Sequence, residues 1–314
     1  MITTVTLNPA LDKTVYVPKL LCNDTNRLSS VETDAGGKGI NCSRMLHRLG
    51  AETSVVAFLG GKTGDFIEHV LSKEGIPTDC VRTRRPTRTC IAVQDATGAP
   101  PTTLNERGGP IDHDELVEIF DRAKNAARQS SYMVLGGSVP VGVNPDVYNV
   151  LIQIAINGGA KAVLDADGDA LAEGIKAKPF MIKPNRDEAE RFLGTYFESK
   201  ADVARGALRF AEMDIELVVI SLGKQGAVAH YDGLIYSAVP PEVKPVNTIG
   251  SGDSLTAGVT YGLEQGMGIE DALRLGCAAG AATALSTGAD IGSKEDVDRL
   301  LPEVTVTRLE PAPL

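Results

Sequence analysis

The chain has 314 residues, of which 43% are hydrophobic, enough for one large α/β unit or two average domains with a buried core. Its formal net charge of −10 argues against a nucleic-acid or anionic-membrane surface, because such surfaces need clustered lysine and arginine. Five cysteines without a CxxC spacing, scattered histidines and a start without basic or long apolar runs predict a cytoplasmic protein without a disulfide framework or a zinc site.

Short β-rich runs alternate with amphipathic stretches along the chain. Strands are predicted at 53–58, 132–136, 161–165, 180–183 and 216–221, and helices at 41–49, 113–128, 145–156, 201–211, 252–264 and 269–287. Several strand runs are apolar without alternation, as in strands that are covered on both faces. The pattern predicts an α/β fold with a mostly parallel central sheet between two layers of helices.

Two segments, 14–33 and 87–106, carry extended runs and turn formers without a helix of their own. We expect them to form a small β lid over the carboxyl ends of the main strands, where ligands bind in open α/β sheets. Because there is no low-complexity linker and no repeat, residues 1–314 are predicted to be a single domain with a lid. Exposed strand edges in such a lid favour a homodimer that pairs two lids.

The sharpest chemical signal is the run 247–254, Asn-Thr-Ile-Gly-Ser-Gly-Asp-Ser, directly before an amphipathic helix. Gly250, Ser251 and Gly252 would bring backbone N–H groups and the positive end of the helix to an anion. A carboxylate beside such a site repels phosphate, so a role for Asp253 as general base in phosphoryl transfer explains its presence. The alternative is an ordinary acid in the first turn of a helix.

A second glycine-rich turn, 35–41, also runs into a helix. Gly37 would let a ligand approach the backbone, and Asn41 offers a donor and an acceptor to sugar hydroxyls. The alternative is that Asn41 caps the helix.

A third segment, 182–188, ends a predicted strand and begins a helix. Lys183 would reach a phosphate, while Asn185 and Glu188 share a helix face that suits a hydrated Mg²⁺. The alternative is a capped helix start with an acidic first turn, which needs no function.

These segments, in this order and spacing, resemble the ribokinase-like (PfkB) carbohydrate kinase family, in particular its 1-phosphofructokinase and tagatose-6-phosphate kinase branch. The resemblance covers nearly the whole chain, and its motifs lie at 6–12, 36–41, 136–140, 183–185, 221–226 and 250–253. It implies a ribokinase-like three-layer α/β/α sandwich with a β lid. Residues 165–169, Asp-Ala-Asp-Gly-Asp, are unusually acidic for this family.

The resemblance also implies roles for individual residues. Asp253 would be the catalytic base, and the backbone of Gly250, Ser251 and Gly252 would form the anion hole. The positions that match sugar-binding residues are Asp12, Gly37, Lys38, Asn41 and Ser138. The positions that match the ATP and Mg²⁺ neighbourhood are Lys183, Asn185, Glu188, Ser221, Gly223 and Gly226, with adenine near the helix from residue 277 onward.

Arg27 and Arg88 lie in the two lid segments and match basic residues that the sugar-phosphate branch uses on the substrate phosphate. An arginine offers a bidentate fork to such a dianion, so that an acidic protein still collects an acidic substrate. The alternative is that both are solvated surface arginines.

The sequence therefore predicts an ATP- and Mg²⁺-dependent kinase of a ketohexose phosphate. Fructose 1-phosphate, converted to fructose 1,6-bisphosphate, is the first choice, followed by tagatose 6-phosphate or fructose 6-phosphate. Two alternatives belong to other classes. An NAD-dependent oxidoreductase would share the sheet, but the last glycine of its fingerprint is replaced by Leu255. A non-catalytic sugar-phosphate sensor would have no need of Asp253.

Overall fold

The computed structural model describes residues 1–97 and 101–309. Its strands are β1 (Ile2–Thr6), β2 (Ala10–Val17), β3 (Ser30–Gly36), β4 (Thr53–Leu59), β5 (Val81–Arg82), β6 (Arg88–Asp95), β7 (Thr102–Asn105), β8 (Tyr132–Gly136), β9 (Lys161–Asp165), β10 (Met181–Ile182), β11 (Leu217–Ser221), β12 (Ala227–Tyr231), β13 (Leu234–Val239) and β14 (Thr305–Leu309). Its α-helices are α1 (Lys38–Leu49), α2 (Gly61–Lys73), α3 (His113–Ala127), α4 (Val147–Gly158), α5 (Gly168–Ile175), α6 (Arg186–Leu193), α7 (Lys200–Ala211), α8 (Ser251–Glu264), α9 (Ile269–Thr283) and α10 (Lys294–Leu300).

Ten of these strands form the central sheet, in the order β5-β4-β1-β8-β9-β10-β11-β12-β13-β14. Neighbours from β5 to β11 are parallel, and those from β11 to β14 are antiparallel. The prediction of a mostly parallel sheet is thus confirmed. The antiparallel edge was not predicted, although Asp232 and Gly233, both with positive φ, supply the two-residue turn that joins β12 to β13.

Helices cover both faces of the central sheet. One core joins the sheet to α3 through α7, and the other joins it to α1, α8, α9 and α10, with α2 packed on the same side through Ile67 and Leu71. This arrangement is the predicted three-layer α/β/α sandwich. Helix α2 was not predicted, and α9 ends at Thr283 rather than at 287, where the chain turns into a loop before α10.

The other four strands form the lid, a separate sheet in the order β3-β2-β6-β7. The lid begins at Ala10, four residues before the first predicted segment, and residues 98–100 of the second segment lie outside the described residues. Because β2 follows β1 after three residues, the lid lies next to the carboxyl end of the central strand β1. None of the described helices is long and apolar enough to cross a membrane.

Candidate active site

The predicted site residues converge where the carboxyl ends of the parallel strands meet the first turns of α1 and α8. Asp253 lies in the first turn of α8, after Gly250, whose φ of 78° places it in the left-handed region that favours glycine. The N–H groups of Gly252 and Asp253 have no acceptor in the part of the chain that the structure describes. The start of α8 therefore offers two backbone donors and a positive dipole end to an anion.

The carboxylate of Asp253 is partly buried and is held by Asn41, whose Nδ2 donates to Asp253 Oδ2 at 2.8 Å. Because α1 begins at Lys38, Asn41 lies inside the helix and is not its cap. The Oδ1 atom of Asn41 is buried and has no partner among the described residues. Asn41 thus fixes Asp253 with one end of its amide and leaves an acceptor for a ligand at the other.

The electrostatic surroundings of Asp253 raise its pKa to about 6. Burial is the largest cause, followed by the negative charge of Asp165, and both disfavour the ionised form. The ammonium groups of Lys38 and Lys183 and the hydrogen bond from Asn41 act in the opposite direction. Asp253 is therefore a stronger base than an exposed aspartate and is still mainly ionised at neutral pH.

Two lysines meet at Asp165, which ends β9 and is 3% exposed. Lys38 Nζ lies 2.7 Å from Asp165 Oδ1, and Lys183 Nζ lies 3.1 Å from Oδ2. Burial by itself raises the pKa of Asp165, but the ammonium groups of Lys183 and Lys38 outweigh it and hold this pKa below its usual value. Sequence motifs pointed to both lysines, whereas no role was predicted for Asp165.

Asn185 and Glu188 bind each other at the start of α6. Asn185 Oδ1 accepts from the N–H of Glu188 at 2.9 Å, and Glu188 Oε2 accepts from the N–H of Asn185 at 2.8 Å. These two contacts form a capping box, which is the capped helix start given above as the alternative interpretation. The second oxygen, Glu188 Oε1, remains directed at the site, 3.8 Å from Lys38 Nζ.

Glu188 Oε1, the carboxylate oxygen that the helix cap does not use, is compatible with Mg²⁺. This ion is usually held by one or two carboxylates together with substrate phosphates and water. Within residues 1–97 and 101–309, no group of three or more His, Cys, Asp or Glu side chains is placed to hold a metal ion without such a substrate.

The predicted sugar-binding residues Asp12 and Gly37 lie on the lid strand β2 and directly after the lid strand β3. Asp12 on β2 is partly buried, and loss of hydration is the main cause that raises its pKa to about 7. Gly36 lies against the Asp12 carboxylate so closely that any Cβ would collide with it. Gly37 has a φ of 118°, and a Cβ there would lie 3.0 Å from Thr6 Cγ2. The glycines of this turn are thus required by the conformation and by the close approach of β2.

Ser138, which follows β8, is joined to the lid through Asn8. Asn8 Nδ2 donates to Ser138 Oγ at 3.0 Å and to the Arg107 carbonyl at 3.1 Å. A cavity of about 500 Å³ opens between Ser138 and Glu188. Asn8 lies after β1 within the motif at 6–12, but it was not predicted as a site residue.

The two lid arginines differ in their surroundings. Arg88 is partly buried and donates to the carbonyls of Glu106 and Asn8 at 3.0 and 3.1 Å, with no carboxylate partner in the described part of the chain. Arg27 is exposed between β2 and β3 and makes no hydrogen bond or ion pair with the described residues. The structure brings Arg88 to the other predicted site residues, but not Arg27.

The predicted nucleotide-binding residues lie beyond Lys183. The N–H of Ser221, at the end of β11, donates to the Pro184 carbonyl at 3.0 Å. Gly223 and Gly226 follow with φ of 58° and 84°, and a Cβ on Gly226 would collide with the backbone of Ala238. This turn is therefore tied to β13 and faces the same edge of the sheet as the rest of the site.

Comparison with known proteins identifies the family to which this chain is related. Residues 5–296 match the pfkB family carbohydrate kinases. The chain belongs to the pfkB family. A 1-phosphofructokinase of Bacillus subtilis (strain 168) is 36% identical over 309 residues, which cover 98% of this chain and 100% of that protein. A tagatose-6-phosphate kinase of Staphylococcus epidermidis is 31% identical and covers 98% of this chain and 99% of its own length.

Solved structures agree. Phosphofructokinase-2 from Escherichia coli, in a complex with potassium, is 28% identical with a TM-score of 0.90, and it covers 96% of this chain and 98% of its own. A tetrameric inhibited form of the same enzyme is 27% identical, with a TM-score of 0.88 and the same coverage. The predicted ribokinase-like fold and the predicted sugar-kinase function are thereby confirmed. The oxidoreductase and sensor alternatives are not supported, because the family consists of carbohydrate kinases.

For this pfkB kinase, the main residue that sequence reasoning missed is Asp165. It stands at the carboxyl end of an apolar parallel strand, which is where ligand-binding residues of open α/β sheets are found. Strand position was therefore a usable signal, but the contacts with Lys38 and Lys183 depend on the order of strands in the sheet.

Proposed function

We propose that this carbohydrate kinase transfers the γ-phosphoryl group of ATP to a hydroxyl of a ketohexose phosphate, with fructose 1-phosphate as its first substrate. The observation that carries the proposal is the partly buried carboxylate of Asp253, fixed by Asn41 beside two unpaired N–H groups and two lysines. The similarity to a 1-phosphofructokinase at 36% identity supports fructose 1-phosphate, and the similarity at 31% to a tagatose-6-phosphate kinase supports tagatose 6-phosphate as the alternative.

In the proposed reaction, Asp253 accepts the proton of the substrate hydroxyl as its oxygen forms a bond to the γ-phosphorus. The bond between that phosphorus and the oxygen of the departing ADP breaks, and Asp253 later releases its proton to water. The N–H groups of Gly252 and Asp253, with Lys183 close to Gly252, stabilise the negative charge on the transferring group. The turn of Gly250, Ser251 and Gly252 sets the direction of these donors.

Binding and orientation fall to the residues around this centre. Asp12, Asn41 and Ser138 would hold sugar hydroxyls, together with the backbone at Gly37, while Lys38 extends toward the phosphoryl group. Arg88 would hold the substrate phosphate, and Arg27, in the exposed segment between β2 and β3, would reach it only after that segment moves toward the site. This assignment is supported by the position of Arg88 beside Asn8 and by the absence of a carboxylate partner for either arginine among the described residues.

On the nucleotide side, the turn at Ser221, Gly223 and Gly226 would receive ATP. Asn185 and Glu188, with the outward Glu188 Oε1, would hold a hydrated Mg²⁺, which neutralises phosphate charge when it is bound.

A substrate panel tests the proposal. ADP release would be followed with ATP and fructose 1-phosphate, fructose 6-phosphate, tagatose 6-phosphate, free fructose or free tagatose. We expect the highest kcat/KM with fructose 1-phosphate and the lowest with the free sugars. A preference for tagatose 6-phosphate would select the alternative, and turnover of none of the phosphorylated ketohexoses would overturn the proposal.

Replacement of the proposed base, Asp253, is a second test of the proposal. Asp253→Asn keeps the size of the side chain but removes the proton acceptor, so we expect kcat to fall by about 10² to 10⁴ with substrate binding retained. Near-normal turnover by this variant would remove Asp253 from the mechanism.

We further propose that the chain is one kinase domain and that it forms a homodimer through the lid, in the cytoplasm. The edges of the lid sheet, β3 and β7, pair with no other described strand. All five cysteines are free, which fits a reducing compartment. The tetrameric form of the Escherichia coli relative indicates that larger assemblies must be distinguished from a dimer.

A further inference from the structure

Asp165 is a buried side chain beside the site, and the proposed reaction gives it no step. Its Oδ1 accepts from Lys38 Nζ at 2.7 Å. Its Oδ2 accepts from Thr256 Oγ1 at 3.1 Å and lies 3.1 Å from Lys183 Nζ. One carboxylate at the end of β9 is therefore shared by the start of α1, by α8 and by the segment after β10.

The two lysines need such a partner. Lys183 is 4% exposed, and a buried ammonium without a counter-ion is strongly destabilising. Both ammonium groups lie within 3.1 Å of the same carboxylate, so they would repel each other if its charge were absent. Asp165 thus allows two positive charges to remain at the centre of an acidic protein.

Each lysine then faces a different part of the phosphoryl-transfer centre. Lys183 Nζ lies beside the anion-binding turn, 3.5 Å from where a Cβ on Gly252 would stand. Lys38 is 33% exposed at the side of Glu188, so it keeps donors for a ligand. Thr256 lies one turn after Gly252 on α8, and its one hydroxyl proton is shared between Asp165 Oδ2 and the Gly252 carbonyl, each at 3.1 Å, which links Asp165 to the helix that carries Asp253.

We propose that Asp165 is a positioning residue, which holds Lys38 and Lys183 on the phosphoryl-transfer side of Asp253 and fixes α8 against β9. The inference rests on the proposed function for its effect on turnover, whereas the contacts themselves do not. It gives a role to the first member of the acidic run 165–169, which the family resemblance left without one.

The charge of Asp165 also acts on Asp253. The charged and titratable groups that influence Asp253 are Asp165, Lys38, Lys183, Asp12 and Cys42. The negative charge of Asp165 raises the pKa of Asp253, and both lysines lower it. Neutralising Asp165 therefore lowers the pKa of Asp253 and makes it a weaker base.

The test uses Asp165→Asn in the full chain, with Asp214→Asn as the matched control. Asp214 also pairs with a lysine, at 2.6 Å from Lys178, but it is exposed and lies at the amino end of the strands, away from the site. We expect Asp165→Asn to lose about tenfold to 10²-fold in kcat and to move the acidic limb of the pH profile of kcat to lower pH. Asp214→Asn should change neither. Unchanged kcat and an unchanged limb in a folded Asp165→Asn protein would overturn the proposal.

A conservative variant separates position from charge. Asp165→Glu keeps the charge but displaces the carboxylate by one methylene, so kcat should fall while the acidic limb stays in place. If Asp165→Asn does not fold, near-normal kcat in folded Asp165→Glu would by itself refute the positioning role.

A measurement without turnover keeps this inference distinct from the proposed function. The ¹³C resonance of the Asp253 carboxyl, assigned with Asp253→Asn, would be titrated in the free protein, and its midpoint should be lower in Asp165→Asn than in the parent. Absence of sugar phosphorylation by the parent would defeat the proposed function alone. An unmoved midpoint would defeat the electrostatic role of Asp165, whether or not the parent is active.

Discussion

The carboxyl group of Asp253 determines how the rate should depend on pH. Its pKa of about 6 means that the base form is lost as the pH falls through this value. We therefore expect kcat/KM to be level above this pKa and to fall about tenfold per pH unit below it. The control is kcat at saturating substrate, because ionisation of the free sugar phosphate, near pH ~6, enters only kcat/KM. A kcat profile without an acidic limb would contradict the assignment of Asp253.

Arg88 carries the expected selectivity for a phosphorylated sugar. Arg88→Ala removes a guanidinium that has no carboxylate partner among the described residues, so we expect kcat/KM for the sugar phosphate to fall about 10-fold to 10²-fold, with less change for the free sugar. Arg82→Ala is the matched control, because Arg82 pairs with Asp65 and Glu68 on α2. An equal loss for phosphorylated and free sugars would instead indicate that Arg88 only supports the Asn8 and Glu106 backbone.

At the scale of elements, α8 depends on close packing against α9. A Cβ on Gly258 would lie 2.7 Å from Gly276 Cα, which is backbone and has no means of rotating away. Gly258→Ala should therefore separate the two helices and lower the free energy of unfolding by about 1 to 3 kcal/mol. It should also lower kcat, because α8 carries Asp253.

Urea unfolding, followed by circular dichroism, measures this effect. Gly268→Ala is the control, since no atom lies within 4 Å of the Cβ it would add and its φ of −63° suits any residue. Equal stability of the two variants would show that the α8–α9 contact is less tight than the structure indicates.

At the scale of the whole molecule, the lid exposes apolar side chains beside its unpaired strand edges. Leu28, Val31 and Leu104 are 51%, 49% and 59% exposed. We expect sedimentation equilibrium to show a dimer at micromolar concentration, and Val31→Asp with Leu104→Asp to shift it toward monomer by placing charges in the contact. Tyr196→Asp is the control, because Tyr196 is 86% exposed outside the lid. A parent protein that sediments only as monomer would contradict lid pairing.

Much of the fold was predictable because its signals are local. Apolar runs without alternation and helical periodicity predicted the parallel strands β8, β9 and β11 and the helices α3, α7 and α8 near their observed bounds. Other elements were not predicted, and for three of them the reason is identifiable. Helix α2 contains Gly61 and Gly64 in its first turn, which weakens the helical pattern. The strands β12 and β13 are short runs that follow the glycine-rich motif at 221–226, which was interpreted as a nucleotide-binding turn.

The sequence by itself determined the family, the layer architecture and the residue types that meet a phosphate, since turn chemistry and periodicity are written in consecutive residues. Only the tertiary structure decided that Asn41 binds Asp253, 212 residues away, and that Asp165 lies between Lys38 and Lys183. The physical reason is that these contacts depend on which strand ends are neighbours in the sheet. The raised pKa of Asp253 likewise depends on burial and on charges that come from distant parts of the chain.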